Sequence, residues 1–482
     1  MRRRFSRLAT AAALAAGSVL VLLAAPAQYL GRQQDDLLYI IASQSLAHGS
    51  YRLFTAVGRP LLLMITPGWP ALLLPVSLLC PGRLGAYEAL ATALQMLVPW
   101  AAFAWARRTL EDETALLLAL LCAASPLLLS QAGAVMSETA FLLASLALLA
   151  RADEGGAAAG GWLAAALQLR PAGAALLPAA LAPSWRRKRW RKLALAAAIP
   201  AAAGGAWCAG CWLLARRGMR APGTLAYAGR SWAFPLALGG LGKIRFYASS
   251  LGGGFLPARW AAAAVALGAA LMLSAAWGCA RALRRRWDEP TALALAGSAA
   301  MYAVWAWNYE RYWLTLLPLF WWACARAWGR AAKPLLAALL LLELAFGVRP
   351  WLGGTRWRRV ELPRSYAWLS SHLSRGQAFA SAAYIRDGFY AGRPCAPLPD
   401  APSAARAAAQ LRARRIGYAL WQRRLDIGVA DPDSSALEAR LERAGRQLQD
   451  GRYFDKVYDD AAEGSAVYRL KDPRDNHVTG SK

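Results

Sequence analysis

Acidic residues are scarce in this chain: 28 Asp and Glu stand against 56 Lys and Arg, giving a formal charge of +28. Histidine is scarcer, with three in 482 residues. His48, His372 and His477 are too scattered to build a histidine metal centre. The seven cysteines add little chemistry. Cys80, Cys122, Cys208, Cys211, Cys279 and Cys324 lie in or beside apolar runs, where cysteine acts as a small hydrophobe. Cys208 and Cys211 form a CxxC, but inside an expected helix and with no second ligand pair. Cys395 stands alone in the polar C-terminal part, which excludes a disulfide within it.

Apolar residues are plentiful. They make up 57% of the chain, and long apolar runs recur from residue 8 to residue 350. A membrane span needs roughly 20 apolar residues. The pattern predicts an α-helical polytopic membrane domain over 1–354. From residue 355 charge becomes dense, and 355–482 reads as a small α/β domain. The positive charge does not point to nucleic acid. It gathers at Arg2–Arg7, Arg107-Arg108, Arg186–Lys192, Arg281–Arg286 and Arg326–Lys333, in short linkers between apolar runs. That is the positive-inside pattern, and such residues meet anionic headgroups of the bilayer.

The first apolar stretch ends near Ala25-Pro26-Ala27 and resembles a secretory leader. Its length favours a retained first helix with the basic end in the cytoplasm. With all the basic clusters inside, the linkers 31–60, 131–136, 216–258 and 308–312 fall outside. This requires that 61–81 not cross. Pro67, Pro70, Pro75 and Pro81 lie in it, and proline removes a helix donor and clashes with the preceding turn. A juxtamembrane or re-entrant element is expected there, and two short helices meeting at Arg170-Pro171 within 157–184. The expected total is about eleven spans in a cytoplasmic (inner) membrane, with the C-terminal domain extracytoplasmic.

Several ionisable residues then converge on the outer face: Asp35-Asp36, Ser137-Glu138, Arg170 and Glu310-Arg311. Each has a plain alternative. The aspartates could be a solvated turn, Glu138 a helix N-terminal acid, and the arginines snorkelling anchors. Together they suit a chemistry that needs a carboxylate base and a cationic clamp for phosphate.

Short motifs bind these residues into one pattern. Asp35-Asp36-Leu37-Leu38-Tyr39, with Ala42, Leu46 and Gly49, resembles the first-outer-loop motif of GT-C glycosyltransferases. The likeness is to the branch with protein O-mannosyltransferases and lipid A aminoarabinose transferases. Thr66-Pro67-Gly68-Trp69-Pro70 is similar to a family proline motif, with Gly68 in place of the second proline and no preceding lysine. Pro126 with Met136-Ser137-Glu138-Thr139-Ala140-Phe141-Leu142, then Leu169-Arg170-Pro171-Ala172-Gly173, then Tyr309-Glu310-Arg311-Tyr312 with Leu317-Pro318, follow in the family order. The resemblance covers residues 8–350.

The resemblance implies transfer of one sugar from a polyprenyl-phosphate donor to a lipid, glycan or protein acceptor at the outer face, with inversion. It implies Asp35 as general base and Asp36 as its orienting or sugar-binding partner. It implies Arg311, then Arg170, as the phosphate clamp. Tyr39, Glu138, Glu310 and Tyr312 complete the substrate-binding set. No cofactor is expected, because a lipid monophosphate lacks the pyrophosphate that usually recruits a metal. A divalent cation on Asp35, Asp36 and Glu138 stays open. A lipid-linked sugar transporter would show repeats or paired broken helices, which are not seen. A polymerase or ligase is the other alternative, but the large polar region here is terminal.

In the tail, helices are expected at 366–373, 402–415 and 434–448, and strands at 378–384 and 417–421. A hairpin is expected from 453–458 and 466–470. No nucleophile–base set is visible there, so this domain reads as a lid or docking module.

Overall fold

A computed structural model describes residues 7–24, 30–31, 35–63, 65–216, 240–304, 310–352, 362–423 and 434–472. It resolves into two compact units. The first holds the described residues up to 24 and from 63 to 352 and is helical. The second joins 30–62 to 362–472.

Among the described residues of the helical unit, five helices are long and apolar enough to cross a membrane. They are Arg7–Ala24, Leu84–Ala106, Asp112–Ser130, Trp190–Leu214 and Ala258–Arg285. Gly68–Leu79 is apolar but has only 12 residues, with Pro75 inside it. At about 1.5 Å per residue it reaches about 18 Å, short of a roughly 30 Å hydrocarbon core. Arg311–Trp328 is the central helix, buried from Tyr312 to Ala325. Gly278 lets Ala261–Arg285 lie directly on it: a Cβ at Gly278 would come within 1.9 Å of the Ala323 carbonyl oxygen. Small residues permit this closeness where helices pack in lipid.

The two short helices expected around Arg170 are present. Gly156–Leu169 stops because Pro171 disfavours helical geometry in the residue before it. Arg170 is accordingly extended, at φ −153° and ψ 138°. A 3-10 turn over Pro171–Leu176 follows, then Leu177–Arg186.

The second unit contains a five-stranded sheet in the order β2-β1-β3-β5-β4, with β1 Phe379–Ser381, β2 Cys395–Pro397, β3 Tyr418–Gln422, β4 Phe454–Asp460 and β5 Ser465–Leu470. β1 pairs in parallel with β2 and β3, and β5 runs antiparallel to β3 and β4. Helices Arg364–His372, Ala404–Ala413 and Ser434–Leu448 match the expected ones within a few residues. The strand expected over 378–384 is cut short: Tyr384–Ala391 is a helix. One face of the sheet packs Ala380, Leu411, Ile416, Phe454 and Tyr468 into a core. The β2 edge is covered by the segment around Thr55 and Val57. Cys395 N–H donates to the Thr55 carbonyl at 2.9 Å, and Val57 N–H donates to the Cys395 carbonyl at 3.1 Å. Covering the edge removes a row of unpaired backbone groups.

Candidate active site

In the helical unit the site is built around one buried acid. Glu138 lies in the first turn of Ser137–Arg151, and its side chain is 1% exposed. A carboxylate there complements the helix macrodipole. Two arginines close on it. Arg170 Nη1 lies 2.6 Å from Glu138 Oε1, and Arg311 Nε lies 3.3 Å from the same oxygen. Both contacts lie within ion-pair distance. Arg170 Nη1 also donates to Ser137 Oγ at 3.2 Å.

Aromatic rings hold the guanidiniums from the side. The Tyr312 ring lies 5.5 Å from the Arg170 guanidinium carbon and 5.9 Å from that of Arg311. Tyr302 stacks on Tyr312 with centroids 5.1 Å apart, and its hydroxyl meets Thr315 Oγ1 at 3.0 Å. Arg311 is the first residue of its helix, at the positive end of the dipole. A cation is disfavoured there by several tenths of a kcal/mol, so Glu138 offsets more than one like charge. Two guanidiniums therefore converge on one carboxylate beside a helix N-terminus, a place that suits an anion.

The proline motif supports this cluster from below. The Trp69 indole N–H donates to the Val135 carbonyl at 3.3 Å. Gly68 packs on the turn before Arg170: a Cβ there would come within 2.5 Å of the Gln168 backbone. The departure from a second proline thus has a packing cause. Residues 66–70 brace both the segment entering Glu138 and the one presenting Arg170.

Glu310 does not join Glu138. It is exposed and accepts from Ser250 Oγ at 2.8 Å. Tyr309 and Asn308, the start of that motif, lie outside the described residues.

The acidic pair belongs to the second unit, and the two aspartates differ. Both open the helix Asp35–Ala47, where the macrodipole favours them. Asp35 is half-buried, as is Tyr39 one turn on. Asp36 is 2% exposed, and both of its oxygens are engaged by backbone. Oδ2 accepts from Gly31 N–H at 2.9 Å, and Oδ1 accepts from Leu37 N–H at 2.7 Å. Gly31 has φ +100°, and a Cβ there would meet Leu37 Cδ1 at 2.6 Å and Arg386 Cγ at 2.7 Å. Only glycine fits this turn without strain.

The C-terminal residues hold the same turn. Tyr390 Oη donates to the Leu30 carbonyl at 2.7 Å. Arg386, 3% exposed, lies against Gly31 and is fixed by Asp387 Oδ1 at 3.0 Å and Gln422 Oε1 at 2.7 Å. Asp387 in turn accepts from Tyr366 Oη at 2.6 Å and Ser381 Oγ at 2.5 Å. The network is buried and closed, so it is rigid. No local sequence signal linked Arg386, Asp387 and Tyr390 to the acidic pair; the connection spans more than 350 positions. Tyr302 also escaped sequence reasoning as a site partner.

Among the described residues no three His, Cys, Asp or Glu side chains come together as a metal-binding set. Glu138 is instead engaged by its two arginines.

No family model matches this sequence, and no curated protein matches it. Solved structures do match by fold. ArnT from Cupriavidus metallidurans bound to undecaprenyl phosphate aligns with TM-score 0.57 and 13% identity, over 95% of this chain and 97% of that one. The Archaeoglobus fulgidus oligosaccharyltransferase tethered with an acceptor peptide aligns with TM-score 0.54 and 11% identity, over 97% of this chain and 74% of that one. The arabinofuranosyltransferase AftD from Mycobacteria aligns with TM-score 0.52 and 15% identity, over 97% of this chain and 40% of that one. The fold of this chain is thus similar to that of these membrane glycosyltransferases.

Proposed function

We propose that this chain is a membrane glycosyltransferase that moves one sugar from a polyprenyl-phosphate donor to an acceptor at the outer membrane face. The observation that carries the reading is the pair of guanidiniums, Arg170 and Arg311, gathered on buried Glu138 at a helix N-terminus. They form a fixed cationic site for a phosphate. Arg311 takes the larger share of the leaving charge and Arg170 the smaller. Glu138 holds both arginines in place before the donor arrives, and the Tyr312 ring lies near both guanidiniums.

In the reaction the acceptor hydroxyl oxygen bonds to the anomeric carbon while the bond from that carbon to the phosphate oxygen breaks. The hydroxyl proton passes to the Asp35 carboxylate. The lipid phosphomonoester leaves with the bonding pair, and the anomeric centre inverts. Asp36 is the orienting partner. Its engagement with Gly31 and Leu37 amides suits that role, because neither oxygen points away from backbone donors. Asp35 carries the proton-accepting role by its position in the acidic motif.

Orientation follows from charge within the helical unit. Arg187 and Arg286 share Asp153, Arg186 reaches Asp288, and Lys333 reaches Glu111 and Glu113. The basic clusters thus gather at the far ends of the helices that begin at Glu138 and Arg311. We place that end in the cytoplasm and the arginine site outside. The direct test is envelope chemistry. Mass spectrometry of envelope glycolipids and glycoproteins should show one sugar fewer on one acceptor class when the gene is deleted. Loss of a long polymer, or accumulation of an unflipped lipid-linked sugar, points instead to a polymerase or a transporter.

A further inference from the structure

The central helix Arg311–Trp328 joins two chemically different places. At about 1.5 Å per residue its 18 residues run about 27 Å. Arg311 begins it and Arg326 stands in its last turn. At that end a cleft of about 530 Å³ is lined by Arg281, Arg285, Arg326, Arg330 and Lys333, and by Glu111.

Charge in this cleft is unevenly satisfied. Lys333 is neutralised by Glu111 at 2.7 Å and Glu113 at 2.8 Å. Arg326 rests on the Trp322 ring at 5.7 Å and interacts electrostatically with Glu289 beyond ion-pair distance. Among the described residues no carboxylate lies within ion-pair distance of Arg281, Arg285, Arg326 or Arg330. Arginines just outside the cleft are different: Arg186, Arg187 and Arg286 each have an aspartate within 3.2 Å. Four guanidiniums facing one concavity repel one another unless an anion sits among them.

The wall of the cleft continues into the membrane. Along Ala261–Arg285, residues Leu273, Trp277, Arg281 and Arg285 are spaced by four and so form one slowly winding ridge. Leu273 is 71% exposed and Trp277 is 55% exposed, which suits lipid contact rather than protein packing. The Arg284 guanidinium lies 5.7 Å from the Trp277 ring. Tryptophan at this position marks the interface between acyl chains and headgroups. The ridge therefore passes from apolar to aromatic to cationic, as a phospholipid passes from chain to glycerol to phosphate.

We propose that this cleft binds the phosphate headgroup of an anionic phospholipid, whose acyl chains lie along the Leu273–Trp277 ridge. Arg281 and Arg285 contact the phosphate from one helix, Arg326 from the central helix, and Arg330 from the 3-10 turn Gly329–Ala331 that follows it. The site is separate from the arginine pair at Glu138 and serves the bilayer leaflet at the opposite end of the helices. It does not require glycosyl transfer to be correct.

The test uses the purified full chain in detergent micelles doped with equal amounts of phosphatidylglycerol and phosphatidylcholine, read by native mass spectrometry. Wild-type protein should retain phosphatidylglycerol preferentially. Arg285→Gln with Arg330→Gln should cut that preference by about tenfold or more, since each basic residue at a headgroup contributes substantially to anionic-lipid attraction. Arg285→Lys with Arg330→Lys should keep most of it. Arg191→Gln, an exposed arginine outside the cleft, should leave it unchanged. The proposal is overturned if no anionic preference exists, or if Arg191→Gln lowers it as much as the double variant. It is also overturned if millimolar inorganic phosphate displaces the lipid, since the cleft would then take a soluble anion.

Discussion

Replacing Glu138 by alanine should destabilise the helical unit strongly, and replacing an arginine with it should return part of the loss. The carboxylate is almost fully buried and holds Arg170 at 2.6 Å and Arg311 at 3.3 Å. The guanidiniums are themselves mostly buried, at 15% and 13% exposure. Unit charges about 4 Å apart interact by about 4 kcal/mol at an effective dielectric near 20. Desolvation cancels much of that, but removing one member of a buried pair still costs about 3–5 kcal/mol. Here the loss leaves two like charges facing each other, so the upper part of that range is expected. Glu138→Gln keeps the shape and one acceptor, and should cost less. In Glu138→Ala with Arg170→Met one of the stranded charges is gone. The cycle should then show a coupling of about 1–3 kcal/mol. Thermal unfolding in detergent, followed by tryptophan fluorescence, gives the four midpoints. Strict additivity of the two substitutions would refute the ion-pair account of this cluster.

Other outcomes follow from the same geometry. Arg311→Ala should reduce turnover of a short-chain polyprenyl-phosphate sugar by at least about 100-fold, the usual worth of one charge-stabilising donor, while Arg311→Lys should retain part of it if charge alone matters. Equal loss in both variants would indicate a planar, two-point contact; full activity in Arg311→Ala would reduce Arg311 to an anchor. Tyr390→Phe removes the hydrogen bond to Leu30 and should lower kcat more than it raises KM, since it loosens the turn behind Asp35; an unchanged kcat would count against a positioning role. Cys395 is buried, and burial first, then the nearby Asp387 carboxylate, push its thiol well above its ordinary range. The reactive thiolate is therefore scarce between pH 7 and 9, and maleimide should modify Cys395 about tenfold or more slowly in the folded chain than in urea, as peptide mass spectrometry would show. Labelling at equal rates would contradict its burial.

Much of this was readable from sequence, for physical reasons. Glu138, Arg170 and Arg311 are charges in an apolar chain, and such residues rarely lie idle. Pro171 also gave away the break that presents Arg170. Glu310 neighbours Arg311 but faces Ser250, because adjacent residues at a helix start point in different directions. The acidic pair was visible, but not which aspartate is buried. That is decided by the Gly31 amide and by Arg386 and Tyr390, which local patterning cannot connect to it. In the tail, Ser434–Leu448 and the β4–β5 hairpin were plain from periodicity. β2, of three residues, is too short to show any, and the strand expected over 378–384 contains β1 but ends early, because a helix begins at Tyr384.

The most direct test of the central claim compares Asp35→Asn with Asp36→Asn in purified protein, assayed separately for sugar transfer and for donor binding. The account predicts that Asp35→Asn lowers turnover by about 10²–10⁴-fold with donor binding and thermal midpoint nearly unchanged. Asp36→Asn should lower the midpoint as well, because its oxygens secure Gly31 and Leu37. Full transfer activity in Asp35→Asn would contradict the assignment of Asp35 as the base.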